Sequence, residues 1–237
     1  MHVTPVEHAS VLGIKKNKQF FDLKIRAGQN NFTKCVKSII LCTGTKPKKL
    51  ELKQEEKFAK KNIHYFAFPL GSKYAGKNVI VVGSRNSGST AALYLAKHGA
   101  KVTIIEIKDR VQAKNKHTKH FQKLYIEVLT SARIIKLNGL NKLEEIVIQQ
   151  DKKKIKKKLD GLFVYIGINP NTFLADSLGV KKNQDGFIQV NAKQETNIPG
   201  VYAAGDVCGN LKHIVAASGQ GATAAYCANN FLLKRGV

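Results

Sequence analysis

No apolar run in this sequence approaches the ~20 residues that a membrane-spanning helix requires, and the opening stretch MHVTPVEHAS lacks the apolar centre of a signal peptide. A soluble, cytoplasmic protein with no membrane attachment is expected. Cysteine is scarce: Cys35, Cys42, Cys208 and Cys227 lie far apart and form no C-x-x-C. That spacing excludes a vicinal redox pair of this kind and suits a reduced compartment. Acidic residues are few, 16 against 40 Lys and Arg, for a formal net charge of +24. Such a field attracts nucleic acid, anionic lipid or an acidic protein, and charge alone does not choose among them. The densest basic block, KKKIKKK at 152–158, has no aromatic on which a base could stack. It reads as a solvated hairpin edge whose lysines oppose aggregation, so nucleic acid is not the expected partner.

Apolar residues make up 43% of the 237, enough for a core in one large or two small domains. FFDLKI and KSIILCTGTKP read as strands separated by the turn-rich RAGQNN, and a lysine-rich connector covers about 46–62. KNVIVVG reads as a buried strand, 88–98 as a helix and KVTIIE as a second strand, which together make a βαβ unit. Phe121, Leu124, Tyr125 and Val128 stand at helical spacing within 115–130. ARIIKL, LEEIVIQQ, LDGLFVYIG and GVYAAGDV read as strands, and an amphipathic helix closes the chain over about 216–233. The fold class is α/β.

The βαβ unit carries the grammar of a dinucleotide site, where one glycine allows the turn after the strand, a second admits the pyrophosphate and a third lets helix and strand pack. Gly83 and Gly88 fill the first and third roles, and Arg85 stands in the second. Asn86, Ser87 and Gly88 offer free amides at the helix start. Glu106, at the end of the second strand, is placed to accept a ribose 2′-hydroxyl and repel a 2′-phosphate, favouring NADH over NADPH. Two readings remain open: Arg85 pairs with a phosphate, or the unit is a preserved scaffold with a degraded pocket.

The βαβ unit, IILCTGTKP, GLFVYIGINPNT and ETNIPGVYAAGDVCG followed by HIVAASGQGATAA together resemble the low-molecular-weight thioredoxin reductases, within the FAD-dependent pyridine nucleotide–disulfide oxidoreductases. The resemblance implies two Rossmann-like domains: a partial FAD-binding domain from 1–62 and 163–237, and an NAD(P)-binding-like domain, 63–162, inserted between them. It implies that Asp206, after Gly205, holds a ribityl hydroxyl of FAD with Val207 nearby. Lys212, His213 and Ile214 would flank the isoalloxazine, and the Thr43-Gly44 loop would lie against the cofactor, with Cys42 in place of the family's alanine.

Three departures qualify this. Phe66 and Pro69 occupy the positions of the family's redox cysteines, so thiolate exchange at that place is excluded. Glu106-Ile107-Lys108 with Gln112 replaces the arginine-rich grip on the NADPH 2′-phosphate. The family's leading glycine-rich segment, which receives the ADP half of FAD, is not found, so the FAD domain is expected to be incomplete at its N-terminus. A second polypeptide supplying that segment, or a homo- or hetero-oligomer, is the expected remedy. The main functional expectation is a flavin-dependent oxidoreductase, or a subunit of a split one. It would take electrons from NADH or exchange them with an acidic redox protein such as ferredoxin. The alternative is a non-catalytic module that keeps the fold.

Overall fold

The computed structural model describes residues 4–59, 61–113, 115–209 and 211–235, without the side chains at 115 and 116. The chain divides into two compact units, an outer one of Met1–Lys46 with Asn169–Val237 and an inner one of Pro47–Ile168. It opens with an antiparallel meander of β1 (Ala9–Asn17), β2 (Phe20–Ala27) and β3 (Asn30–Val36). Gly28 sits at φ 60 and Ala27 pairs with Asn30, so a two-residue turn closes there and the two asparagines of the turn-rich stretch belong to β3. Then come β4 (Ile39–Leu41) and β5 (Thr45–Pro47).

The inner unit contains α1 (Glu55–Ala59), β6 (Ile63–His64), β7 (Asn78–Val82), α2 (Asn86–Lys97), β8 (Lys101–Ile105) and α3 (Asn115–Lys123). It continues with β9 (Glu127–Leu129), β10 (Ala132–Asn138), β11 (Glu145–Gln150), β12 (Lys153–Lys158), β13 (Gly161–Val164) and the start of β14 (Ile168–Pro170). A five-stranded sheet, ordered β6-β13-β7-β8-β9, is parallel throughout. Alternate residues of its strands point to opposite faces, and both faces are covered. Val79, Val81 and Ile104 pack against Ala91, Leu95 and Phe121 of the helices. Ile80, Val82 and Ile105 pack against Ile134, Ile146 and Ile148 of the antiparallel sheet β10-β11-β12. Each fully buried branched side chain contributes roughly 1.5–3 kcal/mol relative to exposure.

Two details depart from the sequence reading. The helical run expected over 115–130 stops at Lys123. Tyr125 turns left-handed at φ 51 and is 92% exposed, and the Ile126 amide donates to the Phe121 carbonyl, closing the helix so that Val128 enters β9. The connector after residue 46 packs with the inner unit: Phe58 is fully buried beside Ile80, and Leu50 and Leu52 join it. The Asn62 amide, also buried, donates to the carbonyls of Leu143 and Asp160 and accepts from the Leu143 amide. Within KKKIKKK, Lys153–Lys158 form the edge strand β12, with Ile155 turned to the core, Lys157 paired with Glu127 and the other lysines of the strand exposed.

The outer unit resumes with α4 (Phe173–Asp176), β15 (Val201–Ala203) and α5 (Ile214–Leu233). Among the described residues its parallel sheet has two strands, β15 and β4, in the register Leu41 to Ala203. A core of Ile14, Phe21, Leu41, Val201 and Val207 lies beside it. In α5 there is no charged residue, yet of its twenty residues only Ala224 and Ala228 are buried. The helix is not the half-buried amphipathic element that its position in the sequence promised.

Candidate functional site

In the inner unit β7 runs into Gly83 at φ +97, and a Cβ there would stand 2.4 Å from the Tyr165 carbonyl oxygen. A Cβ on Gly88 would stand 2.0 Å from the Gly83 carbonyl oxygen. Both glycines are therefore required by close backbone approach. Arg85 has φ −66 and ψ 176 at the N-cap of α2, a conformation open to any residue, so the backbone makes no demand for glycine at that place. Ser89 makes the first intrahelical bond, to the Arg85 carbonyl, which leaves the amides of Asn86, Ser87 and Gly88 at an unpaired helix start.

These residues border a cavity of about 640 Å³ at the C-terminal ends of β7 and β8, the size and place at which an α/β sheet receives a ligand. Leu50, Leu52, Ile105 and Ile134 supply apolar wall, while Arg85, Glu106, Lys108, Gln112 and Arg133 supply polar groups. Glu106 is only 5% exposed. Its Oε2 accepts from the Ser84 amide at 2.9 Å and the Ser84 hydroxyl at 2.5 Å, and its Oε1 from the Lys108 amide at 3.0 Å. Burial by itself raises the Glu106 carboxyl; the donors of Ser84, Lys108 and Ile107 outweigh it and hold the group below the ordinary carboxylate pKa. The Ser84 hydroxyl in turn accepts from the Gln112 amide.

The family's cysteine positions belong to the same unit. Phe66 is 63% exposed, its ring 5.6 Å from that of Phe68, and Phe68 packs 4.2 Å from Tyr94 of α2. The Ala67 amide donates to the Tyr165 hydroxyl at 2.7 Å. An aromatic stack thus fills the place without a thiol.

In the outer unit a second group gathers beyond the last pair of β4 and β15. Thr43 donates through Oγ1 to the Asn171 carbonyl at 2.6 Å, Asn171 returns Nδ2 to the Thr43 carbonyl, and the Asn171 amide donates to the Gly44 carbonyl. Across the sheet end Gly205, at φ +81, donates its amide to Gln220 Oε1 of α5 at 2.7 Å. Asp206 is half-buried and its carboxylate has no protein hydrogen-bond partner among the described residues. Val207 is fully buried in the core, so its side chain serves packing. Lys212 lies over the Phe187 ring, His213 is the N-cap of α5, and Leu211, Ile214 and Val215 are 68%, 86% and 84% exposed. Cys42 and Cys208 are neighbours here, but burial and the nearby Cys42 push the Cys208 thiol up to about 11, and burial raises Cys42 as well. Both are poor thiolates at neutral pH.

The thirteen residues singled out in the sequence therefore fall into two groups, one per unit. Lys108 and Arg133 join the first group; Arg133 comes from β10, a strand with no glycine signature to mark it. Among the described residues no His, Cys, Asp or Glu cluster could hold a metal ion, and no helix is long and apolar enough to cross a membrane.

Residues 3–221 match the pyridine nucleotide-disulphide oxidoreductase family. The chain belongs to that family. It is 36% identical over 239 aligned residues to the 34.2 kDa protein in the rubredoxin operon of Clostridium pasteurianum, covering 95% of this chain and 77% of the relative. It is 33% identical to ferredoxin–NADP reductase 2 of Oceanobacillus iheyensis, over 94% of this chain and 70% of that protein. The thioredoxin reductase of T. acidophilum superposes with a TM-score of 0.77 at 33% identity, over 95% of this chain and 74% of that one. The Lactococcus lactis thioredoxin reductase gives 0.79 at 28% identity, over 95% and 75%. This thioredoxin reductase-like oxidoreductase shares a family whose members imply FAD and NAD(P)H. The outer unit fits the flavin and ribityl part of FAD: an unpartnered carboxylate at a strand end, and exposed apolar residues at a helix start for a flat aromatic ring. The described residues of that unit contain no glycine-rich strand–turn–helix for the ADP half.

Proposed function

We propose that the chain is an FAD-dependent oxidoreductase that works without a redox-active cysteine pair. It would exchange electrons between a nicotinamide nucleotide and an acidic redox protein such as a ferredoxin, in the cytoplasm. The observation that carries this reading is the unpartnered Asp206 carboxylate at the end of β15, beside the exposed start of α5. Bound FAD would supply the two-electron and one-electron chemistry. The protein's residues bind and orient: Asp206 accepts a hydroxyl, Thr43 and Gly44 hold the facing loop through Asn171, and Ile214 and Val215 exclude water. In the inner unit Gly83, Asn86, Ser87 and Gly88 receive the pyrophosphate of the nicotinamide nucleotide and Arg85 pairs with it. Lysines supply long-range attraction for an acidic partner. The ADP half of FAD would be held by a segment outside the described residues, including one carried by a second polypeptide or a neighbouring subunit.

The test is the visible spectrum of the chain after incubation with FAD and desalting, for wild type and Asp206→Ala. Retained flavin bands in the wild type and their loss in Asp206→Ala are expected. Equal retention by both would overturn the assignment of Asp206. A wild type that refuses FAD in every condition, with a glycine-rich ADP-binding segment supplied in trans as well, would leave the module without turnover as the reading.

A further inference from the structure

The lysine run at 152–158 is the one sequence motif that neither cofactor site absorbs. Its strand β12 is the last of the antiparallel sheet β10-β11-β12 and pairs with β11 in an unbroken register, from Gln150 with Lys153 to Glu145 with Lys158. Just beyond, the Leu159 amide donates to the Glu144 carbonyl at 3.1 Å, so that pair is hydrogen-bonded. Antiparallel pairs alternate, which turns the backbone of residues 153, 155 and 157 toward β11 and the N–H and C=O groups of Lys154, Lys156 and Lys158 outward. Among the described residues no further strand pairs with that side. The three side chains share one face at intervals of about 7 Å, while Ile155 and Lys157 between them are part-buried on the other. The outer face also carries Lys136 of β10, in line with Lys156 through Val147 of β11. All four lysines are exposed and have no carboxylate partner among the described residues. Glu145 stands opposite Lys158 but accepts from Asn138 Nδ2 at 3.0 Å instead.

An open strand edge is a template for another strand, and its side chains decide which strand is admitted. A second copy of β12 would set lysine against lysine, so like charge closes the edge to self-pairing. Nucleic acid reads charge without the strand's backbone spacing, and among Lys136, Val147, Gln149 and the three outward lysines no aromatic offers a base a ring to stack on. We propose that β12 is a docking edge for an acidic, extended segment of a partner protein, which adds as a fourth strand of the sheet and sets alternate Asp or Glu side chains opposite Lys154, Lys156 and Lys158. Main-chain bonds supply the affinity, and the lysine ladder selects the acidic strand and rejects basic ones. The lysines that keep the edge from pairing with itself are thus the ones that admit its partner. The inference stands on the inner unit alone and rests on neither bound flavin nor the nucleotide reading.

The experiment is fluorescence anisotropy of an end-capped, labelled peptide of about eight residues, Glu alternating with Thr, titrated with the full chain at low salt. Saturable binding is expected, weakening as salt rises. The same peptide N-methylated at its Glu residues keeps every charge but loses the amides that face β12, and should bind at least about tenfold more weakly. That comparison needs no variant of the protein. Lys154→Ala combined with Lys156→Ala should also cost about tenfold, the size of two cross-strand charge pairs. The pair Lys15→Ala and Lys16→Ala, exposed on β1, removes the same charge elsewhere and should leave binding unchanged. No binding of the peptide, equal binding of the methylated and unmethylated forms, or an equal loss from the two double variants would each overturn the proposal. Tighter binding of a short DNA duplex, lost in Lys154→Ala with Lys156→Ala, would make the edge a nucleic-acid surface and overturn it as well.

Discussion

The two units use the same local grammar, a strand ending in a positive-φ glycine and then a helix, and reach different ends. In the inner unit the strand is the middle of a five-stranded parallel sheet, both faces are covered, and the turn at Gly83 opens on a walled cavity. In the outer unit the strand has one parallel neighbour, and the helix that follows exposes Ile214 and Val215 almost completely. Parallel strands are ordinarily buried on both faces. The glycine turn therefore makes a pocket only where surrounding layers supply walls, and elsewhere it makes one face of a site.

Substitutions should respond to this contrast. Gly88→Val forces a side chain into the Gly83 carbonyl and is expected to destabilise the inner unit by about 3 kcal/mol or more, read as a large fall in the urea midpoint; an unchanged midpoint would refute the close packing of α2 on β7. Asn62→Ala strips three hydrogen bonds, two of them buried, from the junction with Leu143 and Asp160 and should cost about 2–3 kcal/mol. Ser84→Ala removes the hydroxyl donor to Glu106 and should cost about 1–2 kcal/mol at pH 7.

The sign of the pH effect follows from the depressed Glu106 pKa. Its contribution is present above the unfolded carboxylate value near 4.5 and is lost as pH falls through the lower folded value. Wild type should thus lose stability below that point more steeply than Ser84→Ala, in denaturant melts at successive pH values; parallel curves would count against the Ser84 contact. The smallest effect belongs to the outer unit. Ile214→Ser, at a side chain 86% exposed, should change stability of the chain alone by less than about 0.5 kcal/mol. A drop comparable to that of Asn62→Ala would show that α5 is covered in solution and would dissolve the contrast.

Much of this was legible in the sequence for a physical reason: short-range patterns carry short-range structure. The runs at 78–82 and 101–105, Gly83, Gly88 and the lysine edge at 153–158 announce themselves by periodicity and by the steric demands of glycine. The resemblance rested on the same local blocks, and the family match, residues 3–221, spans all but the end of the last of them. Tyr125 misled because its spacing from Phe121 and Leu124 is helical, whereas the Phe121 carbonyl captures the Ile126 amide and ends the helix first. Glu106 could be placed from sequence at the end of β8, but the donors that reach its oxygens could not, since Ser84 reaches it across 22 positions. Arg133 arrives beside Lys108 only because β10 runs past the end of β8. Sequence alone determined the elements, the two glycine turns and the excess of positive charge. Only tertiary structure decided which carboxylate was satisfied and which cations were left free, because hydrogen-bond saturation and burial depend on neighbours brought together by the fold.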